Sequence, residues 1–133
     1  MFIIKKWLDC KSTSLFLGVI FGGMIFSFKN PKENLVKLIF HQKPLKLLAA
    51  IESFKSDKNK LFHGFEHRES DLPGDLHVGG QLCFNFHSRE HIDLKMAWYF
   101  ESGENSYHEF TITIRISDLD LIVNAINDFF VEK

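Results

Sequence analysis

An uncharged apolar run near the start of the chain limits the folds open to this protein. Residues 14–28 read SLFLGVIFGGMIFSF and lie between Lys11 and Lys29. Counted from Ser12, the run is 17 residues long, which is the lower end of the length that spans a bilayer as a helix. We therefore predict a transmembrane helix at residues 13–28, with the flanking lysines reaching the lipid head groups.

The same run also fits a buried β-hairpin. Gly22 and Gly23 form a turn signal between residues 15–21 and 24–28, which are both rich in Phe, Val and Ile. Such a hairpin is apolar on both faces and needs cover on both sides. The rest of the chain has its own core to build, so the sequence favours the membrane helix.

Small residues recur every four positions along the predicted helix. Ser14, Gly18 and Gly22 would share one helical stripe, and Gly18-x-x-x-Gly22 is a pattern that lets two membrane helices approach closely. The stripe is the candidate surface for a homodimer. The helix itself predicts a single-pass protein of the cell (inner) membrane, with lipid as the partner of residues 13–28. Lysines flank it on both sides, so the orientation stays open.

The formal net charge of −1 is the sum of two opposite halves. Residues 1–60 hold 11 Lys against four acids, which is +7, and residues 61–133 hold five basic residues against 13 acids, which is −8. The predicted segments are a basic tail at 1–12, the membrane helix at 13–28, a basic helical connector at 29–60 and an acidic domain at 61–133. Arg is absent before Arg68, so no nucleic-acid partner is expected.

Two helices are predicted within the connector. Asn30-Pro31 is a typical helix start, and the apolar residues of 35–39 follow it. A second helix is predicted from Leu45 to Lys55, after Pro44, because its apolar residues recur at helical spacing.

The second half of the chain shows period-two alternation in three consecutive runs. Apolar and polar residues alternate over 82–87, 92–101 and 109–116, with gaps of hairpin length. This pattern predicts an antiparallel meander with one apolar and one polar face. A shorter strand is expected near residues 61–67. A final helix is expected from Ser117, its predicted N-cap, to Val131.

The predicted fold class is α+β, with an N-terminal transmembrane helix and then a two-layer domain. In that domain a three- to four-stranded antiparallel meander packs against two helices, one of them at residues 45–55. The polar face of the meander is the candidate docking surface for another protein, which the acidic charge of this half predicts to be basic. The docking residues are predicted to be Asp93, Lys95, Tyr99, Glu101, Thr113 and Arg115.

Two copies of the pattern F-H-x-x-E-H contain histidines that are candidate ligands for a metal ion. They supply the clusters His63, Glu66 and His67, and His87, Glu90 and His91. H-x-x-E-H holds zinc in certain peptidases when a helix carries it. Neither copy lies on a predicted helix, and the second falls on a hairpin turn. The four histidines are therefore weak candidates for metal ligands, and no cofactor is expected.

No catalytic residue is assigned from the sequence. Cys10 and Cys83 are expected to be unpaired, and no serine elbow, phosphate loop or dinucleotide fingerprint is present. The sequence predicts a membrane-anchored, non-catalytic protein-binding module, most concretely an immunity or inhibitor protein that neutralises a toxin. Low Arg with high Lys, Phe and Ile fits a bacterial or phage source.

Two alternative functions stay open. One is a metal-dependent hydrolase that uses the two histidine clusters, and the other is an accessory subunit of a membrane complex.

Overall fold

The computed structural model describes residues 2–9, 11–29, 35–58, 64–67, 77–100 and 107–131. The strands are β1 (Phe2–Leu8), β2 (Ser14–Ile20), β3 (Gly23–Lys29), β4 (Leu35–Phe40), β5 (Gly64–His67), β6 (His77–Phe86), β7 (His91–Phe100) and β8 (Tyr107–Arg115). The helices are α1 (Leu45–Ser56), which follows β4, and α2 (Ser117–Phe129), which follows β8. The described chain is thus two successive ββββα units.

Each unit forms its own antiparallel sheet, and the fold is α+β. Sheet A has the strand order β1-β2-β3-β4, and sheet B has the order β5-β6-β7-β8. Helix α1 contacts β5 and β6 of sheet B. Helix α2 reaches sheet A, because the indole Nε1 of Trp7 in β1 donates a 2.9 Å hydrogen bond to Asp118 Oδ2. The helix of each unit therefore contacts the sheet of the other unit.

One hydrophobic core joins the two units. In sheet A the ring of Phe28 is fully buried and lies 6.4 Å from the ring of Phe110 in sheet B, between ring centroids. The core also receives Phe54 from α1 and Ile122 from α2. Because each sheet contributes one apolar face and each helix one apolar stripe, neither unit buries its apolar surface alone.

The two helices lie side by side and antiparallel. Lys55, in the last turn of α1, forms an ion pair with Asp120, in the first turn of α2. Leu48 near the start of α1 and Asn127 near the end of α2 line one groove. This arrangement brings together the helices that end the two units.

The structure corrects the transmembrane helix predicted for residues 13–28. The segment is the hairpin β2–β3, in which every residue of β2 pairs with a residue of β3. Gly22 turns the chain with a φ of +77°, which glycine adopts without steric cost. Strand β3 lies between β2 and β4, and even its outward Ser27 is only 2% exposed. Among the described residues, no helix is long and apolar enough to cross a membrane.

The connector also differs from its prediction. The first predicted helix is replaced by β4, in which Leu38 and Phe40 are buried opposite Phe26 and Met24 of β3. Residues 30–34 lie outside the described residues. The second predicted helix, Leu45 to Lys55, is confirmed as α1.

The meander and the final helix form as predicted, but the predicted two-layer domain does not, because the meander shares its core with sheet A as well as with the helices. The predicted meander is confirmed, and β5 adds a fourth strand beside β6. Helix α2 begins at Ser117, but the N-cap position belongs to Ile116 and has no side-chain cap. The carboxylate of Asp118 instead accepts a 3.1 Å hydrogen bond from the backbone N–H of Arg115.

Candidate functional site

The polar face of sheet B is built by alternation along three strands. Ile92, Leu94 and Met96 of β7 point into the core and are buried, so Asp93 and Lys95 point outward. Their register partners on β6 and β8 share that side. The face, as described, consists of Cys83, Asn85, Asp93, Lys95, Glu109, Thr111, Thr113 and Arg115.

Asp93 is the most firmly held charge of this face. The hydroxyl of Thr113, its register partner on β8, donates a 2.7 Å hydrogen bond to Asp93 Oδ1. The ring Nδ1 of His87 lies 3.1 Å from Oδ1 and 3.2 Å from Oδ2 of the same carboxylate. His87 reaches it from the β6–β7 turn, with its side chain half exposed. Asp93 is therefore oriented from two sides.

Lys95 and Arg115 supply the positive charges of the face. Lys95 Nζ lies 3.3 Å from Glu109 Oε1, and both side chains are partly exposed. Such exposed pairs contribute little to stability. The guanidinium of Arg115 is exposed and has no partner among the residues that the structure describes. The face thus carries two carboxylates and two cations, and the guanidinium of Arg115 is the one of these charges without a described partner.

Cys83 lies beside Lys95 but is poorly suited to act as a nucleophile. Burial raises the pKa of its thiol, Lys95 and the amide of Asn85 lower it, and Glu109 raises it. The amide Nδ2 of Asn85 lies 3.7 Å from the sulfur. Because the pKa of Cys83 is raised above the ordinary 9.0, the thiol is protonated at neutral pH and is less reactive than a thiolate.

The thiol of Cys83 gives a direct test of the electrostatics of this face. In a Cys10→Ser background, we expect iodoacetamide at pH 8 to alkylate Cys83 more slowly in the folded protein than in urea. Lys95→Ala should slow the reaction further, because it removes a cation that lowers the pKa, and Glu109→Gln should speed it. Mass spectrometry of the alkylated fraction over time gives the rates. Equal rates in the two variants would contradict this description.

The raised pKa of Cys83 also makes the stability of the fold depend on pH. The pKa of Cys83 is higher in the folded protein than in the unfolded chain, so the folded state holds this proton more tightly. The contribution is fully present below the unfolded pKa and is lost as the pH rises through the folded one.

Four of the six predicted docking residues lie together on this face. Asp93, Lys95, Thr113 and Arg115 share the outward side of β7 and β8. Tyr99 lies further along β7, at the register position opposite Tyr107. Glu101 falls outside the described residues.

Two residues that contact this face are not among the docking residues predicted from the sequence. His87 binds Asp93, and Glu109 pairs with Lys95. The signal was available in both cases. Position 87 continues the outward series of β6 past Asn85, and position 109 precedes Thr111 in the outward series of β8.

The small-residue stripe predicted on a membrane helix is not formed. Ser14 and Gly18 lie in β2, and Gly22 lies in the turn that follows. Both strand residues face the outer side of sheet A, opposite Lys29 and Ile25 of β3.

The histidine candidates are divided between several places. His63 lies outside the described residues, and His67 ends β5. His87 and His91 flank the β6–β7 turn, as predicted, and His91 Nδ1 lies 3.3 Å from the hydroxyl of Ser88. Within the described ranges, no group of three or more His, Cys, Asp or Glu side chains is placed to hold a metal ion.

The geometry of sheet B is that of a flat, preordered polar surface. Asp93 is held by Thr113 and His87, and Lys95 is paired with Glu109. No protein-family model matches the chain, and no curated protein matches it in sequence.

Proposed function

We propose that this protein is a non-catalytic protein-binding module and that the polar face of sheet B meets its partner. The observation that carries the proposal is the fixation of Asp93 by Thr113 and His87. Because the carboxylate of Asp93 is already oriented, its side chain loses little conformational entropy when a partner binds. The exposed cations of Lys95 and Arg115 extend the same surface.

The charges of the face and of the surrounding chain play different roles in this proposal. Within the face, two carboxylates alternate with two cations, so the surface selects a partner with a complementary pattern. Around it, residues 61–133 carry a formal charge of −8. Their field would attract a basic partner and speed the encounter.

The most concrete form of this function is neutralisation of a toxin by an immunity or inhibitor protein. Such a protein works by covering a surface of its target, and it needs no chemistry of its own. The protonated thiol of Cys83 and the paired state of Asp93, Lys95 and Glu109 fit a surface that binds.

Site-specific cross-linking in cells tests this proposal. A photoreactive amino acid at Thr111, which is exposed on β8 beside Lys95, should give one discrete covalent adduct with another protein. The added substitution Arg115→Glu should remove that adduct by reversing an unpaired charge of the surface. The cross-linked partner, once purified, should lose its own activity when one equivalent of this protein is added.

A photoreactive residue at Ala49 provides the matched control. Ala49 is equally exposed, but it lies on α1. The proposal predicts no adduct from this position. Equal adducts from both positions, or none from Thr111, would show that sheet B is not the docking surface.

A further inference from the structure

We propose that one end of sheet A binds the surface of anionic lipid membranes. The sheet turns at this end between β2 and β3, and four large apolar side chains are exposed there. We call this surface the apolar end of sheet A. It consists of Phe2, Ile3, Ile20, Phe21 and Leu45, of which only Ile20 is partly covered.

Phe21 is the most exposed of these residues. It lies in the turn between β2 and β3, and its side chain is fully exposed. Ile3 is the register partner of Gly18 on β2, close to that turn, and Phe2 is the register partner of Val19. Exposed apolar side chains that cluster rather than scatter mark an interaction surface.

The remaining two members belong to the same end. Ile20 is the last residue of β2 and pairs with Gly23. The chain also leaves β4 at this end, since the ring Nδ1 of His41 lies 3.2 Å from the backbone oxygen of Gly22. Leu45 follows at the start of α1 and is exposed.

An open groove continues this surface towards α2. The groove has a volume of about 680 Å³ and runs from Phe2 and Val19 to Leu121 and Phe129. One carboxylate, Asp128, lies at its rim.

Lysines surround the apolar end. Lys43 and Lys46 lie beside Leu45, and all three are exposed. On the outer side of sheet A, one row of register partners crosses the sheet four residues before the end of β2. It consists of Lys6, Phe16, Ser27 and Lys37, so a lysine lies at each edge of the sheet. That row lies about 13 Å from the strand ends at 3.3 Å per residue, so its lysine side chains reach the head groups when the apolar tip inserts about 5–10 Å.

The outer face of sheet A carries no carboxylate among the described residues. Its charged residues there are Lys6, Lys29 and Lys37. The nearby Asp9 is occupied, because its Oδ1 accepts 2.9 Å hydrogen bonds from the backbone N–H groups of Lys11 and Thr13. A surface with apolar tips and only lysines behind them is complementary to anionic lipid.

The corresponding end of sheet B serves as an internal comparison. The turn there holds the polar residues His87, Ser88, Arg89 and Glu90; His87 contacts Asp93, and the hydroxyl of Ser88 lies 3.3 Å from His91 Nδ1. Phe86, at the end of β6, is exposed to 53%, but its register partner Ile92 is fully buried. The two units thus differ in chemistry at the same place in their topology.

Co-sedimentation of the purified full-length protein with lipid vesicles tests the proposal. We expect binding to vesicles that contain phosphatidylglycerol, at least tenfold weaker binding to phosphatidylcholine alone, and loss of binding at high salt. Phe21→Ala should weaken binding to the anionic vesicles about tenfold, because a whole aromatic ring leaves the apolar phase. Lys6→Glu combined with Lys37→Glu should weaken it by at least as much.

Two matched variants serve as controls. Phe86→Ala removes an exposed phenylalanine from sheet B, and Lys58→Glu reverses an exposed lysine beyond the end of α1. Both should bind the anionic vesicles as the unmodified protein does. Equal losses in the control and test variants would contradict the proposal, as would no binding to anionic vesicles.

A fluorescent label separates insertion from simple charge attraction and from self-association. Bimane attached at Phe21→Cys, in a Cys10→Ser and Cys83→Ser background, should shift to the blue with anionic vesicles, and bimane at Phe86→Cys should not. A label at position 21 that stays in water, despite binding, would overturn the proposal. So would a dimer in solution that Phe21→Ala dissociates, since the apolar end would then bind a second copy.

Discussion

Replacing Phe28 by alanine is expected to reduce the free energy of unfolding by about 3–5 kcal/mol. Phe28 is fully buried, and its ring packs against Phe110 of the other unit. Its loss leaves a cavity where the two units meet, which the surrounding strands fill only in part. Urea denaturation, followed by far-UV circular dichroism and by tryptophan fluorescence, measures the change.

The two signals should report one transition. Trp7 lies in β1 and is hydrogen-bonded to Asp118 of α2, so its fluorescence follows contact between the units when the second tryptophan is removed by Trp98→Phe. Because the core is shared, fluorescence and secondary structure should be lost together in both the native protein and the variant. Two separated transitions would show that the units fold independently.

Phe21→Ala is the matched control, because it removes the same ring from the same hairpin. Phe21 is fully exposed, so its replacement should change stability by no more than about 0.5 kcal/mol. On a membrane helix at residues 13–28, both phenylalanines would face lipid or a second helix. Equal effects of the two substitutions on stability would therefore contradict the hairpin.

Gly23→Ala is the second substitution expected to have a large effect, with a loss of about 1–3 kcal/mol. A Cβ atom at Gly23 would lie 2.6 Å from the backbone oxygen of Phe40 and 3.2 Å from His41 Nδ1. The obstacle is backbone of the neighbouring strand, so β3 and β4 have to move apart. Thermal and urea unfolding measure the loss.

The adjacent Gly22 supplies the control for this substitution. Its φ is +77°, and an added Cβ would meet nothing within 4 Å. Asparagine tolerates this left-handed conformation better than other non-glycine residues, so Gly22→Asn should cost less than Gly23→Ala. The opposite order of stabilities would contradict the described turn.

The difference between the two sheets explains why only one of them was recognised from the sequence. In sheet B, Ile92, Leu94 and Met96 alternate with polar residues, because one face of the sheet is polar. In sheet A, the first six residues of β3 are buried, so Met24, Ile25 and Phe26 are apolar without alternation. A continuous apolar run does not distinguish a buried strand from a helix.

The shared ββββα order of the two units could not be predicted from the sequence. Helix α1 contains Ala50-Ile51-x-x-Phe54, and α2 contains Ala125-Ile126-x-x-Phe129. The shared pattern is short, and the strands that precede the helices differ in composition. The change of charge sign near residue 60 falls between α1 and β5, so the basic half corresponds to one unit and the acidic half to the other.

The candidate site was partly predictable for a simple reason. Alternation assigns each residue of a strand to a face, which placed Asp93, Lys95, Thr113 and Arg115 on the polar side of sheet B. It does not say which side chains bind one another, because that depends on register and on the turn. The contact of His87 with Asp93 arises where the β6–β7 turn brings the ring back over β7.

Residues 14–28 form a hairpin inside a core shared by both units. The most direct test is a nuclear Overhauser measurement on the labelled full-length protein. We expect Hα–Hα contacts between the non-hydrogen-bonded register partners of β2 and β3, the series that includes Leu17 with Phe26. A helix would hold these two residues about 13.5 Å apart. Helical contacts between residues three and four apart throughout 14–28, without any cross-strand contact, would contradict the account.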